Sequence, residues 1–438
     1  MTNRTSGTHP STHRPTTPAP RPAPRTKHAA PTPAHSLAHL DVLISGASIA
    51  GPALALWLTR HGARVTVLEK APALREGGFA VDFRGDVHRT VLRRMGIWDE
   101  VHRRQTHMGR QTIVEADDTE RVDLPAFLMS GDVEIFRGEL SRILYERTAQ
   151  DVEYVFGDSI ASLTEDSEGI DVTFERGAPR RFDLVVGADG LHSHTRRLVF
   201  GDEAQFLRFQ GYYVAGFDMP NHLGLDRTAR LHSDPGRMAG ISNYDGDPDR
   251  AGGFLVLRSE ELDYDRRDPA AQKKILAERF AGLAWTHAPQ VLAALESADD
   301  LYFDMIAQIH LDRLSRGRVV LLGDAACGAT MGGLGSGAAL VGAYVLAGEL
   351  AAARGDHRVA FAAYEAEIHA YAKGCQKSSG NAGPFLAPPT EKKIRSRDRA
   401  YRVLSSRLLA GLFKKLTEKA ASDLVLKDYV PRPARELA

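Results

Sequence analysis

The 438-residue chain predicts an α/β fold with an inserted antiparallel sheet and a C-terminal helix, and three features carry the prediction. A strand, a glycine turn, a helix and a second strand follow one another over residues 41–69. Two later apolar strands, within 183–190 and 318–326, break into similar glycine turns beside an acid. Between those turns, residues 205–304 hold alternating runs joined by Asp, Gly and Pro, the pattern of an antiparallel insert.

The elements follow in order. Residues 1–38 contain five Lys or Arg, no acid and eight of the 22 prolines, and no apolar periodicity to bury, so this extension is expected to be disordered. It has no apolar stretch ahead of a cleavage site, which argues against a secretory signal and leaves a transit peptide or an upstream start as alternatives. Residues 41–45 then read as a strand, 52–61 as a helix and 64–68 as a second strand. In this Rossmann-like βαβ unit Gly46 permits the tight turn, Gly51 lets the helix pack on the sheet, and free N–H groups at the helix start face a pyrophosphate. Glu69, 23 positions after Gly46, is placed to grip a ribose hydroxyl, with Lys70 beside it. Ser48 stands where the middle glycine of the fingerprint would be.

A glycine run at 77–85 precedes a helical pattern over 87–101. Residues 110–134 are strand-like and leave the first domain briefly, and 137–145 reads as a helix. The alternating runs 152–156 and 170–174 are expected to pair with each other over the nucleotide domain. At the two later junctions, Asp189 and Asp324 sit beside backbone donors, an arrangement that suits a ribityl or ribose hydroxyl next to a phosphate. The second junction opens through the glycine-rich 328–337 into an apolar helix over 338–353. Within the insert, strands are expected at 206–219, 229–232, 238–243 and 253–258, with a helix over 270–284. A break at 378–390 leads into a basic helix carrying Val403, Leu404, Leu408, Leu412 and Leu416 near one face. That helix reads either as a lid or membrane-surface helix, or as packing across both domains.

The expected domains are therefore 1–38 as the extension, then 39–112, 136–204 and 305–377 as the nucleotide domain. Residues 113–135 and 205–304 form a substrate domain, and 378–438 the C-terminal linker and helix. Lys plus Arg and Asp plus Glu balance at 56 each, so no nucleic-acid or membrane-surface partner is indicated. No run approaches 18 uninterrupted apolar residues. The two cysteines, Cys327 and Cys375, fit a reduced, cytoplasmic protein, and no Cys and His pattern makes a metal cage.

With the three junctions in order, Gly46-x-Ser48-x-x-Gly51 with Glu69, Gly187-Ala-Asp-Gly190 and Gly323-Asp-Ala-Ala326, the chain resembles the class A flavoprotein monooxygenases of the para-hydroxybenzoate hydroxylase fold over about residues 40–375. Within that group it looks most like tetracycline destructases and polyketide-tailoring oxygenases. The closer likeness lies in Gly46-Ala-Ser-Ile-Ala-Gly-Pro52, Gly78-Phe-Ala-Val-Asp-Phe-Arg-Gly85, Glu134-Ile-Phe-Arg-Gly-Glu-Leu140 and Val341-Gly-Ala-Tyr-Val-Leu-Ala-Gly-Glu349. The resemblance implies FAD as cofactor, NADPH or NADH as a transient reductant, O2 as oxidant and a small aromatic substrate, in a monomer or homodimer. It implies Glu69 on the adenosine ribose, Arg137 along the FAD, and Asp324 on the ribityl or pyrophosphate region. Asp189 and Gly190 would support the flavin and the nicotinamide approach, and the amides of Gly335 and Ser336 would face the flavin carbonyl edge. No acid–base triad is implied, so no catalytic side chain is assigned; exclusion of water is what the step demands.

The chain departs from the family after Gly-Asp-Ala-Ala. Members often carry His or Tyr, prolines, Gly-Gln-Gly and Asn where this sequence has Cys327, Thr330 with Met331, Gly333 to Gly335 and Gly337. Contacts from this loop are therefore expected to be wholly backbone. Arg84 reads equally as a flavin or enolate contact and as a surface arginine paired with Asp82 or Asp86. His192 and His194 are expected to be solvent-exposed, and Cys327 to fill space. Phe206, Phe209, Tyr212, Tyr213 and Phe217 suit a planar ligand and equally a sheet core. The rival readings are a flavin reductase, a Baeyer-Villiger enzyme, a halogenase, which the lack of paired tryptophans disfavours, and a flavin protein that sequesters a ligand without turnover.

Overall fold

The computed structural model describes residues 36–404 and 424–431, apart from 76, 125–129, 245, 330, 332–333 and 381. The expectations for residues 1–35 and for Leu408, Leu412 and Leu416 lie outside the described residues. Leu37, placed in the extension by sequence, is fully buried, and its N–H donates to the His61 carbonyl at 2.9 Å. The folded body therefore starts before residue 38.

One sheet of six strands organises the nucleotide domain, in the order Ser315–Arg316, Val319–Leu321, Leu184–Gly187, Asp41–Ser45, Arg64–Glu69, Glu153–Phe156. All neighbours are parallel except the first two strands. Its strands are near-continuous apolar runs because both faces are covered. Val42, Ile44, Val65, Val67 and Val186 point to the helices Ala50–Arg60 and Gly335–Ala352, while Leu43, Leu68, Val185 and Val319 point the other way. A small antiparallel sheet of Ile160–Glu165, Ile170–Phe174 and Arg180–Phe182 covers that second face. The expected pairing of 152–156 with 170–174 is thus corrected. Glu153–Phe156 joins Arg64–Glu69 in parallel, and Ile170–Phe174 pairs with its own sequence neighbours.

The helical pattern over 87–101 is two helices, Gly85–Met95 and Trp98–Arg103, because Gly96 takes a left-handed φ of 76° and ends the first. Beside it, Ala80–Phe83 and Val133–Phe136, distant in sequence, pair as a separate two-stranded antiparallel sheet.

The insert forms a seven-stranded sheet, Tyr302–Ile309, Leu207–Pro220, Arg250–Arg258, Arg237–Ser242, Ala229–Asp234, Gln111–Val114, Glu120–Leu124. It is antiparallel except where Ala229–Asp234 meets Gln111–Val114, since that strand comes from the earlier part of the chain. Its first strand runs to Ile309, past the expected boundary at 304. The helix expected over 270–284 is Pro269–Phe280, which ends short of the expected bound, and a second helix, Ala288–Ser297, follows it, with Leu283 and Trp285 buried between them.

Helix His357–Ser379 runs through the start of the expected break, and a short helix, Ala382–Leu386, fills part of the rest. The described part of the basic helix, Glu391–Leu404, lies on the strands Glu120–Leu124 and Ala229–Asp234, with Asp398 paired to Arg121 at 3.0 Å. It packs on the large sheet rather than across both domains. Residues 424–431 return to the nucleotide domain instead, where Tyr429 packs on Tyr344.

Candidate functional site

The turn after the first strand is shaped by close approach. Gly46 has φ 112°, and a Cβ there would stand 2.4 Å from the Ala188 carbonyl oxygen. A Cβ on Gly51 would stand 1.9 Å from the Gly46 oxygen. Helix Ala50–Arg60 has no side-chain cap at Ile49, which leaves the N–H groups of Ala50 and Gly51 at its start without a capping side chain. The Glu69 carboxylate accepts from the N–H of Ala47 and of Ala71, each at 2.9 Å, which fixes an anion at the lip of the turn. Lys70 is exposed beside it.

Ser48, the departure from the fingerprint, has a partner. Arg137 donates to its hydroxyl from Nε at 3.2 Å and Nη2 at 3.0 Å, and Ser141 donates to its carbonyl at 3.0 Å. The helix Arg137–Glu146 is thereby fastened to the turn.

Across the cleft, Asp324 opens the short helix Asp324–Cys327. Its carboxylate makes no hydrogen bond among the described residues. Asp324 is exposed to the cleft, yet desolvation by the surrounding walls pushes its pKa up, and the charge of Arg137 pulls it back down. Helix Gly335–Ala352 also starts without a side-chain cap, with Ser336 half-buried in its first turn. The Cβ position of Gly335 lies 3.7 Å from Asp324 Oδ1. Two uncapped helix starts therefore face one cleft that holds a cation at Arg137 and an anion at Asp324. An arrangement of this kind is able to hold a phosphate-bearing ligand at one end and to offer backbone donors to a carbonyl edge at the other. The glycine at 337 has a steric cause: a Cβ there would lie 2.1 Å from the ring of His88, which is fully enclosed and held by the Arg84 N–H at 3.1 Å and the Tyr371 hydroxyl at 2.7 Å.

The far wall is aromatic. Phe79 meets Phe254 at 5.4 Å and Tyr302 at 5.2 Å between ring centres, both edge-on, and Phe136 meets Tyr244 at 5.6 Å. All five are half-buried. Tyr302 has its hydroxyl pushed above the ordinary tyrosine range by burial and by nearby Asp304 and Asp324, with Arg137 opposing, so it belongs to the same cleft. Of the aromatic residues singled out by sequence, Phe209, Tyr213 and Phe217 instead pack on the opposite face of the sheet, against the helices Pro269–Phe280 and Ala288–Ser297. Strand alternation turns them away.

Other candidates fall elsewhere. The Asp189 carboxylate accepts from the Ser193 hydroxyl and from the N–H and hydroxyl of Thr195, at 2.8 and 2.9 Å for the latter two, so it holds the start of helix His194–Phe200. Arg84 is paired with Asp82, as one reading had it, but largely buried rather than on the surface. His192 is not solvent-exposed as expected: it bridges Glu203 at 2.9 Å and Asp304 at 3.1 Å, and so ties the Gly190 turn to the large sheet. His194 is also only half-exposed and lies 2.9 Å from the Ile160 carbonyl. Cys327 and Cys375 are free, and burial pushes the Cys327 thiol up to about 12, which leaves it inert. The sequence reading gave no role to Phe79, Asp304 or Glu134, whose places depend on contacts between distant segments.

Residues 39–213 match the family model described as an FAD binding domain. The chain is 44% identical over 360 residues, 81% of its length, to an uncharacterised protein of Mycobacterium tuberculosis, 96% of which is covered. It is 36% identical to a flavin-dependent monooxygenase from an unknown prokaryotic organism, covering 77% of this chain and 88% of that one. Among solved structures, tetracycline destructase Tet(55) superposes with a TM-score of 0.76 at 34% identity, over 89% of this chain and 98% of that one.

Proposed function

Because the chain belongs to the flavin-dependent monooxygenases, we propose that it uses NADPH or NADH and O2 to hydroxylate a polycyclic aromatic, tetracycline- or polyketide-like small molecule. The observation that carries the reading is the single cleft in which two uncapped helix starts, Arg137 and Asp324 stand opposite the half-buried wall of Phe79, Tyr244, Phe254 and Tyr302. The likeness to a tetracycline destructase supports the substrate class.

The donor set fits FAD. The turn from Gly46 to Gly51 and the helix behind it would take the pyrophosphate, Glu69 the adenosine ribose with Lys70 at that exposed end, and Arg137 the flank of the cofactor. Asp324, whose carboxylate makes no hydrogen bond among the described residues, would accept ribityl hydroxyls. The N–H groups of Gly335 and Ser336 would stabilise negative charge at the flavin carbonyl edge. Asp189 would act behind these groups by fixing the Gly190 turn. Bound FAD supplies electron transfer from the nicotinamide and activation of O2. The chain's own part is to orient the substrate ring on the aromatic wall and to keep water from the reacting carbon.

The test is consumption of NADPH, NADH and O2 by the FAD-loaded protein against tetracycline, an anthracycline and simple phenols, with product masses. Stimulation by a polycyclic ligand and a gain of one oxygen support the reading, and the product structure separates hydroxylation from ring insertion. FAD-loaded protein whose reductant consumption no ligand stimulates would leave a reductase or a ligand-sequestering protein.

A further inference from the structure

Glu134 opens the stretch Glu134 to Leu140, of which the proposed cofactor site uses only Arg137. Its place is set by the register of the two-stranded sheet, which puts Ala80 opposite Phe136 and Asp82 opposite Glu134. Alternation sends Phe83, Val133 and Ile135 into the core of the nucleotide domain, with Val81 packed against it. The other face carries Asp82, Glu134 and Phe136, and Phe136 meets Tyr244 on the side of the large sheet. Two carboxylates thus stand side by side on the face that looks toward the aromatic wall.

Like charges directly opposite on neighbouring strands repel. Burial raises the Asp82 pKa, with its pairing to Arg84 opposing the rise; Glu134 is the member of the pair that faces Tyr244 on the side of the large sheet. The Thr106 hydroxyl donates to Glu134 Oε2 at 2.6 Å. The Ser130 hydroxyl near it is buried and makes no hydrogen bond among the described residues. Tyr244 faces Glu134 from the sheet side and feels its charge. Burial lifts the Glu134 carboxyl to about 7; the Thr106 hydrogen bond and the charge of Arg84 oppose the rise, and the charge of Asp82 adds to it. A carboxyl that titrates near neutrality is matched to proton exchange at working pH.

We propose that Glu134 takes a proton from an acidic hydroxyl, an enol or phenol, of the substrate held between this two-stranded sheet and the aromatic wall. The inference rests on the monooxygenase reading. The substrate O–H bond breaks, its proton passes to the Glu134 carboxylate and the electron pair stays on the substrate oxygen. The conjugated carbon becomes the electron-rich acceptor of oxygen, and the proton is released when Glu134 ionises again. Electrons and protons balance without a further reactant.

The test compares wild type, Glu134→Gln and Glu134→Asp, each checked for FAD content. With oxidised enzyme and no reductant, an anthracycline is bound and its phenol ionisation is followed by absorbance against pH. In wild type the bound chromophore ionises with a midpoint near neutrality. In Glu134→Gln that transition moves to higher pH and ligand-stimulated turnover falls by about 10²-fold or more, while Glu134→Asp keeps a displaced transition. A purely structural role for Glu134 would leave the midpoint in place. An unchanged midpoint and turnover in FAD-loaded Glu134→Gln overturns the proposal and leaves the monooxygenase reading intact. Wild-type protein that no ligand stimulates overturns both.

Discussion

Arg137 places two donors, Nε at 3.2 Å and Nη2 at 3.0 Å, on the single hydroxyl of Ser48. This pairing gives the serine at the middle position of the fingerprint a physical reason. A glycine would open the backbone further, but it would leave the guanidinium without its anchor at the point where it turns toward Asp324. A hydrogen bond to a charged group contributes about 1.5–3 kcal/mol. Ser48→Ala is therefore expected to weaken FAD binding about tenfold or more, and Arg137→Ala further, read by titrating FAD into deflavinated protein. Equal FAD affinity in Ser48→Ala and wild type would show that the serine only fills space.

The contact between Gly337 and His88 predicts a coupled pair. A methyl at 337 meets the imidazole at 2.1 Å, and the ring cannot retreat because Arg84 and Tyr371 hold it on both sides. Overpacking of this kind costs about 1–3 kcal/mol. Gly337→Ala should lower the thermal midpoint, and His88→Ala in the same chain should recover part of the loss, a positive coupling in a double-mutant cycle. Additive effects would mean that the helix start shifts instead.

The parallel sheet was legible because its strands are apolar runs ending in glycine turns, and Gly46, Glu69, Asp189 and Asp324 mark the ends of those runs. Pairing was less legible. The runs 152–156 and 170–174 are close in sequence, but the first belongs beside Arg64–Glu69 through a parallel contact that no local pattern encodes. In the insert, alternation separates Tyr212 from Tyr213 but does not say which face meets the nucleotide domain, so Tyr213 and Phe217 were open to either side. Glu134 needed the register opposite Asp82. Gly337 looked like a loss from the family pattern until the ring of His88 occupied its place.

His192 makes the link between the Gly190 turn and the large sheet depend on pH. Burial lowers its pKa, but hydrogen bonds to Asp304 and Glu203 and their charges outweigh burial and raise it above the ordinary value. A raised folded pKa means that its stabilisation is complete below the unfolded value of about 6.5 and fades as pH climbs through the folded value. Wild type should thus lose stability over that alkaline window relative to His192→Gln, in denaturant titrations at several pH values. Parallel curves for the two proteins would rule out the link.

Residues 424–431 return onto the helix Gly335–Ala352. Tyr429 lies over Gly348, where a Cβ would stand 2.1 Å from its ring, and it packs edge-on against Tyr344 at 5.3 Å. Its N–H donates to the Tyr344 hydroxyl at 2.8 Å and its own hydroxyl donates to the buried Glu349. Lys427 adds ion pairs to Glu349 at 2.7 Å and Glu367 at 2.9 Å. Tyr344, Gly348 and Glu349 belong to the helix whose first turn, at Gly335, lines the cleft, so the return braces one wall of the cofactor site from behind. Tyr429→Ala removes a buried ring and is expected to cost about 3–5 kcal/mol. Tyr429→Phe keeps the ring but takes a donor from a buried carboxylate, for about 1–3 kcal/mol. Thermal unfolding followed by flavin fluorescence should place both losses in one transition, with FAD released as the helix lets go. Release of FAD at an unchanged temperature in Tyr429→Ala would show that the return is a passive tail.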